Sequence, residues 1–196
     1  WIHGGALIVG AREAPPKWLD PEGRYVVVSI DYRLAPETKL PAIIEDLQDA
    51  YRWVHEQGAR LFHIDPERLA VAGESAGGYL AQMTGFCVSP RPRALLSLSG
   101  YGDITATWYT RPSPHYLREP LISKADAYRS VGTACVSAPP EESPRGKFYL
   151  YCRQQGTWPN EVAGHDPGAE PKWFDRYCPV RNISAKYSPI VLIHGT

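Results

Sequence analysis

The sequence predicts an α/β fold, a mainly parallel sheet with flanking helices and one irregular cap insertion. Three observations carry this. Apolar runs at Arg24–Asp31, Arg68–Ala72, Ala94–Gly100 and Ser188–Thr196 have strand character, and their near-continuous hydrophobicity suggests burial on both faces. Helical patterns alternate with the runs, as a parallel sheet requires. From Tyr101 to about Lys186 the pattern breaks into a Pro-, Trp- and Tyr-rich stretch, too long for a structureless loop in a compact domain. Residues 1–100 and 187–196 therefore form the expected core, and 101–186 the expected cap or lid.

Each element has its own signal. Trp1-Ile2-His3-Gly4-Gly5-Ala6 looks like a strand end running into a Gly-rich loop. Small residues let its backbone approach a substrate, so the N–H groups of Gly4, Gly5 and Ala6 are candidates for holding a developing negative oxygen. Tight turning alone is the competing explanation. Breakers at Ala14-Pro15-Pro16-Lys17 and Asp20-Pro21-Glu22-Gly23 precede Arg24–Asp31, the clearest strand. Asp31 to Glu37 follows as a charged loop whose groups are expected to lock one another beside the site. Pro41 to Gln57 reads as a helix with Ile43, Leu47, Ala50 and Val54 on one stripe, Pro41 suiting its start and Gly58 its end.

The organising stretch is Gly73-Glu74-Ser75-Ala76-Gly77-Gly78. A strand precedes it, and a helix from Ala76 to Cys87 follows. G-x-S-x-G at a strand-to-helix turn is the context of a nucleophile elbow. The glycines permit unusual backbone angles and close helix–strand approach. The helix N-terminus points N–H groups at any nearby negative charge.

Composition sets bounds. With 43% hydrophobic and 21% charged residues, a packed core is expected. Lys+Arg 21 balance Asp+Glu 21, and no basic stripe suggests a nucleic-acid partner. No apolar run approaches the ~20 residues of a membrane span. The four cysteines lack C-x-x-C spacing, so no metal site is expected, and no cofactor; one disulfide is possible among Cys135, Cys152 and Cys178. The chain begins with Trp1 and holds one methionine, Met83, so localisation is left open.

His3-Gly4-Gly5-Ala6, Asp31 to Glu37 and Gly73 to Gly78, in that order, together resemble the α/β-hydrolase fold, most closely its hormone-sensitive-lipase-like esterases. Leu192-Ile193-His194-Gly195-Thr196 is similar to that family's strand before its acid loop. The resemblance implies acyl transfer on a small-molecule ester, with Ser75 as nucleophile. It implies oxyanion donors at Gly5, Ala6 and Ala76, with Gly4 shaping the turn. His3 is expected to brace the loop rather than act as base. Ala6 stands where the family has a third glycine, and its methyl narrows the acyl side. Glu74 stands where Asp is more usual and is not the expected triad acid.

A serine nucleophile needs a base and an orienting carboxylate. The resemblance puts both after Thr196, and most of a central strand before Trp1, between the strands of Val26 and Val71. The sequence is thus expected to be an internal fragment of a longer hydrolase. A substitute pair, His165 with Asp166, lies in the cap. Two other classes share the scaffold: hydrolase-fold proteins that bind ligands without a full triad, and prolyl-oligopeptidase-type peptidases. The His-Gly-Gly loop and the Asp31–Glu37 stretch favour the esterase.

Overall fold

The computed structural model describes residues 1–139 and 143–195; Thr196, the last residue of the expected closing strand, lies outside them. Helix α1 (Leu40–Trp53) starts with a proline in its first turn and buries Leu40, Ile43, Ile44, Leu47 and Tyr51; of the predicted stripe, Ile43 and Leu47 are buried here and Val54 in the turn that follows, while Ala50 is only half-buried. The helical path does not stop at Gly58. It continues through a wider π turn, Val54–Gly58, into α2 (Ala59–Phe62). Gly58 adopts ordinary helical angles, and the left-handed residue that ends the path is His63, at φ 55°.

Strand β1 (Ala70–Glu74), helix α3 (Ala76–Cys87) and strand β2 (Ala94–Leu98) form a parallel unit, with Ala70 opposite Ala94 and Glu74 opposite Leu98. Further helical pieces follow: α4 (Thr107–Thr110), α5 (Lys124–Tyr128), α6 (Gly146–Gln155) and α7 (Trp158–Ala163), with 3-10 turns between and after them. Strand β3 (Ile190–Ile193) then pairs in parallel with β2, giving the order β1-β2-β3. Helix α3 is buried along almost its whole length, which explains its small residues. A β-carbon on Gly78 would lie 2.9 Å from both Gly100 Cα and Leu98 O.

Two strand expectations need correction. Arg24–Asp31 is not a paired strand among the described residues; its one ladder contact is a parallel bridge from Ile30 to Ile2. Tyr25, Val26 and Val27 are exposed. A β-branched run becomes a strand only where a neighbouring strand takes its backbone groups; here Trp1 bonds Val28 O and Ile30 N, and the Asp20 carboxylate takes the N–H groups of Arg24 and Tyr25. Ile2 also bridges Gly73, placing it between the Ile30 segment and β1, as the resemblance implied. Strand β3 is paired but not buried: Val191, Leu192 and Ile193 are exposed, because β2 flanks it on one side and α3 covers β1 and β2.

The 101–186 stretch packs directly on the sheet unit. Phe148, Cys152, Trp158, Phe174 and Cys178 join one buried cluster with Ile2, Leu7, Tyr32, Ile43 and Leu80. All four cysteines are free, against the disulfide expected as possible. Cys178 Sγ donates to Asp103 and Cys135 Sγ to the Ser137 carbonyl, so these thiols are engaged elsewhere.

Candidate active site

Ser75 sits between β1 and α3 at φ 54° and ψ −115°, a conformation that L-residues avoid. Its N–H donates to Leu98 O at 2.7 Å, and its carbonyl accepts from Tyr79 N at 3.0 Å, the first bond of α3. The flanking glycines are required by contact. A β-carbon on Gly77 would lie 2.0 Å from Ile2 O, and one on Gly73 would lie 2.3 Å from Gly77 O. Both are clashes with backbone, so helix and strand approach this closely only as glycines.

The Gly-rich loop lies against this elbow. A β-carbon on Gly4 would sit 3.3 Å from Ser75 Cβ and 3.1 Å from Glu74 O. Its backbone is asymmetric in hydrogen bonding. Tyr32 Oη donates to His3 O at 3.1 Å, and His3 Nδ1 lies 2.7 Å from Gly4 O. Gly5 O accepts from Ile8 N and Val9 N, both at 2.9 Å. Ala6 O accepts from the Trp158 indole at 3.0 Å, Leu7 O from Ala35 N at 2.8 Å, and Ile8 O from Arg145 Nε at 2.7 Å. Every carbonyl from His3 to Ile8 is thus occupied. Among the described residues, no acceptor takes the N–H of Gly4, Gly5, Ala6 or Leu7, nor that of Ala76. Backbone N–H groups near a core are nearly always paired, so a run of free donors beside a serine is a place for an acceptor from outside the chain.

The loop is also strained. Ala6 and Leu7 take φ 57° and 63°, two successive left-handed residues without being glycine, at about 1–2 kcal/mol each. Its neighbours hold it there. His3 is buried and stacks on Tyr32, with ring centroids 4.3 Å apart. Burial lowers the His3 pKa from its ordinary value, against a smaller upward pull from the Gly4 carbonyl. Nδ1 faces the Gly4 carbonyl, an acceptor, and so acts as donor, and Nε2 is left without a partner among the described residues. The ring braces the loop. The charged groups from Asp31 to Glu37 do not lock one another, contrary to expectation, but are each held from outside the stretch: Arg12 pairs with Asp31 and Arg33 with Asp46, both at 2.7 Å, and Arg145 grips Glu37 in a fork, 2.7 Å to each carboxylate oxygen. Arg145 also donates to Ala35 O and, through Nε, to Ile8 O, so it joins the Glu37 loop to the Gly-rich loop.

Among the described residues, no histidine or carboxylate hydrogen-bonds Ser75. His165 lies 2.9 Å from Glu170 and stacks on Trp173, while Asp166 accepts from Gly168 N and Ala169 N. The two are spent locally and do not face each other as an acid–base pair. His194 lies near Gly195 O on the exposed end of β3, and His115 packs edge-on against Tyr116. Glu74 is exposed.

A profile of the alpha/beta hydrolase fold matches residues 1–150 of the 196. The chain belongs to the alpha/beta hydrolase fold family. Its hormone-sensitive-lipase-like resemblance holds as well. The chain is 44% identical over 88 residues to carboxylesterase NlhH of Mycobacterium tuberculosis, covering 41% of this chain and 26% of that protein. It is 40% identical over 84 residues to the ethyl acetate hydrolase of Pseudomonas putida, with the same shares of 41% and 26%. The matched part thus spans about a quarter of these relatives. Among solved structures, a Staphylococcus aureus protein of unknown function superposes with TM-score 0.74 at 22% identity, covering 97% of this chain and 66% of that one. Carboxyl esterase 2 of Tuber melanosporum gives 0.59 at 18%, covering 98% and 56%. At these identities the structures show the fold.

Within this alpha/beta hydrolase fold, three residues at the site escape sequence reasoning: Tyr32, Arg145 and Trp158. Tyr32 lies inside the charged loop that draws attention by its charges. Arg145 and Trp158 lie in the aperiodic cap stretch, where no spacing marks one arginine or tryptophan among several. Their bonds to the loop span 137 and 152 residues of sequence.

Proposed function

We propose that the full-length protein carrying this sequence is a carboxylic ester hydrolase that works by serine acyl transfer on small-molecule esters. The observation that carries the proposal is the loop whose carbonyls are all occupied and whose donors are free, set against Ser75. In this reading Ser75 Oγ bonds to the ester carbonyl carbon while its proton passes to a base. The carbonyl oxygen takes up the negative charge at the N–H groups of Gly5, Ala6 and Ala76, and Gly4 gives the backbone room beside the serine. Collapse of the tetrahedral species breaks the bond to the alcohol, which leaves with the proton. Water then hydrolyses the acyl-enzyme.

The proposal takes base and acid from outside residues 1–196. It reads 101–186 as a cap and the remainder as the catalytic core. Relatives named as a carboxylesterase and an ethyl acetate hydrolase support the ester class. The test is Ser75→Ala in the full-length protein, with turnover of a short-chain p-nitrophenyl ester and labelling by a fluorophosphonate. Turnover is expected to fall by around 10⁶-fold and labelling to vanish. Persistent labelling sinks the assignment. A wild-type protein that neither turns over nor labels leaves a ligand-binding scaffold.

A further inference from the structure

The Gly-rich loop does not hold its own shape. Ala6 and Leu7 are left-handed without being glycine, and three successive carbonyls, of Ala6, Leu7 and Ile8, are each captured by a different remote segment. A peptide unit is planar, so fixing a carbonyl fixes the direction of the next N–H along the chain. The Ala6 carbonyl belongs to the peptide between Ala6 and Leu7, at the centre of the strained pair. One side chain holds it: Trp158, the first residue of α7, through its indole N–H at 3.0 Å.

Trp158 is well placed for the task. It is almost fully buried, and its ring is clamped by Tyr109 at 4.6 Å and by Tyr101 edge-on at 5.7 Å. Tyr101 in turn stacks on Tyr79 of α3, at 5.1 Å, one turn beyond Ser75. The indole therefore ties the loop, through stacked rings, to the helix that follows the elbow. Helix α7 is itself held at Glu161, whose carbonyl accepts from Lys39 Nζ at 2.6 Å, just before α1.

We infer that Trp158 is a positioning residue for catalysis: its indole N–H, by holding the Ala6 carbonyl, fixes the Ala6–Leu7 peptide and with it the left-handed backbone angles of Ala6, whose own N–H is one of the donors to the reacting oxygen. The inference rests on the ester-hydrolase reading and deepens it. The insertion in this account is part of the oxyanion machinery as well as a cover over it.

The test is Trp158→Phe in the full-length protein, which keeps an aromatic ring for the stack and removes the N–H. Three quantities are read: kcat and KM on a short-chain p-nitrophenyl ester, the inhibition constant of a trifluoromethyl ketone, and the melting temperature. The ketone adds to a nucleophilic serine and leaves a negative oxygen in the donor site. Small displacements of catalytic groups cost about 10- to 100-fold, so kcat is expected to fall in that range with KM within about twofold. Ketone affinity is expected to fall by the same factor as kcat/KM, as for any interaction made only in the transition state. Fluorophosphonate labelling of Ser75 still goes to completion. A lower melting temperature with unchanged kcat and ketone affinity overturns the inference, because the indole then only packs. So does a rise in KM that accounts for the whole loss. If the phenylalanine variant does not fold, benzothienylalanine at position 158 replaces the N–H by sulfur at nearly the same shape, and the same readouts apply. Failure of the ester-hydrolase reading shows separately, as activity or labelling that survives Ser75→Ala.

Discussion

The Gly4–Ile8 loop and the Tyr25–Val28 segment are close in sequence and similar in length, and they end up in opposite states. The first is poor in strand formers and conformationally strained, yet Tyr32, Ala35, Arg145 and Trp158 pin it from four remote places. The second has the stronger local signal, three valines after a tyrosine, yet it is exposed and nearly unpaired. Local preference did not decide either outcome. Partners did: a strained loop is stable when every carbonyl is taken, and a β-branched run stays loose when no neighbour offers a ladder.

The pinned region should fail sharply when its closest approach is disturbed. Gly77→Ala places a β-carbon 2.0 Å from Ile2 O and 2.6 Å from His3 O, both backbone atoms. Neither swings away as a side chain would, so elbow and loop must separate. Chemical denaturation of the full-length protein is expected to show a loss of more than about 4 kcal/mol, in the range reserved for such core mechanisms, or no cooperative transition. A loss under about 1 kcal/mol would mean that the approach is soft.

The next effect is electrostatic. Glu37 and Arg145 are buried, with side chains 1% and 5% exposed. Glu37→Gln leaves the guanidinium without its counter-charge, at about 3–5 kcal/mol. The wild-type pair also gives a pH signature. Burial pushes the Glu37 carboxyl up, but the Arg145 fork and the Gly132 N–H outweigh burial and hold it below its ordinary 4.5. A lowered carboxylate stabilises the fold fully above the unfolded value, and the contribution drains away as pH falls through the folded one. The stability gap between wild type and Glu37→Gln should therefore be flat above about pH 4.5 and shrink below it. A gap that grows on acidification would reverse the sign and refute the assignment.

These contrasts also show what could be read in advance. The elbow, the Ala76–Cys87 helix and the second strand were legible because each rests on local features: a motif at a strand-to-helix turn, good helix formers, a short apolar run. The charged loop is legible as a held segment, but its partners are not: Asp31, Arg33 and Glu37 pair with Arg12, Asp46 and Arg145, all outside it, and not with one another. The end of the first helix lies beyond the expected one because glycine only permits a left-handed stop; Gly58 takes right-handed angles and His63 makes the turn. Exposure of β3 and of Tyr25–Val27 is not legible in the sequence, for the reason that governs the whole comparison. Hydrophobic pattern reports what a segment would bury, and carries no record of whether a partner is there.

The smallest effect is the sharpest test of that reason. Val27 is 44% exposed and Ile30, three residues on, makes the segment's one ladder bridge. Threonine keeps the β-branched shape and nearly the same backbone preference, and differs by exchanging a methyl for a hydroxyl. At an exposed site that exchange is worth at most about 0.5 kcal/mol. If these 196 residues hold all the partners of the segment, Val27→Thr in the full-length protein leaves the denaturation midpoint essentially where it was. A loss above about 1.5 kcal/mol would have one physical meaning: the methyl is buried and the hydroxyl unsatisfied, so Val27 is covered in the native protein. The Tyr25–Val28 run would then be a buried strand after all, and the difference between the two regions would lie in which of them finds its partners within these 196 residues.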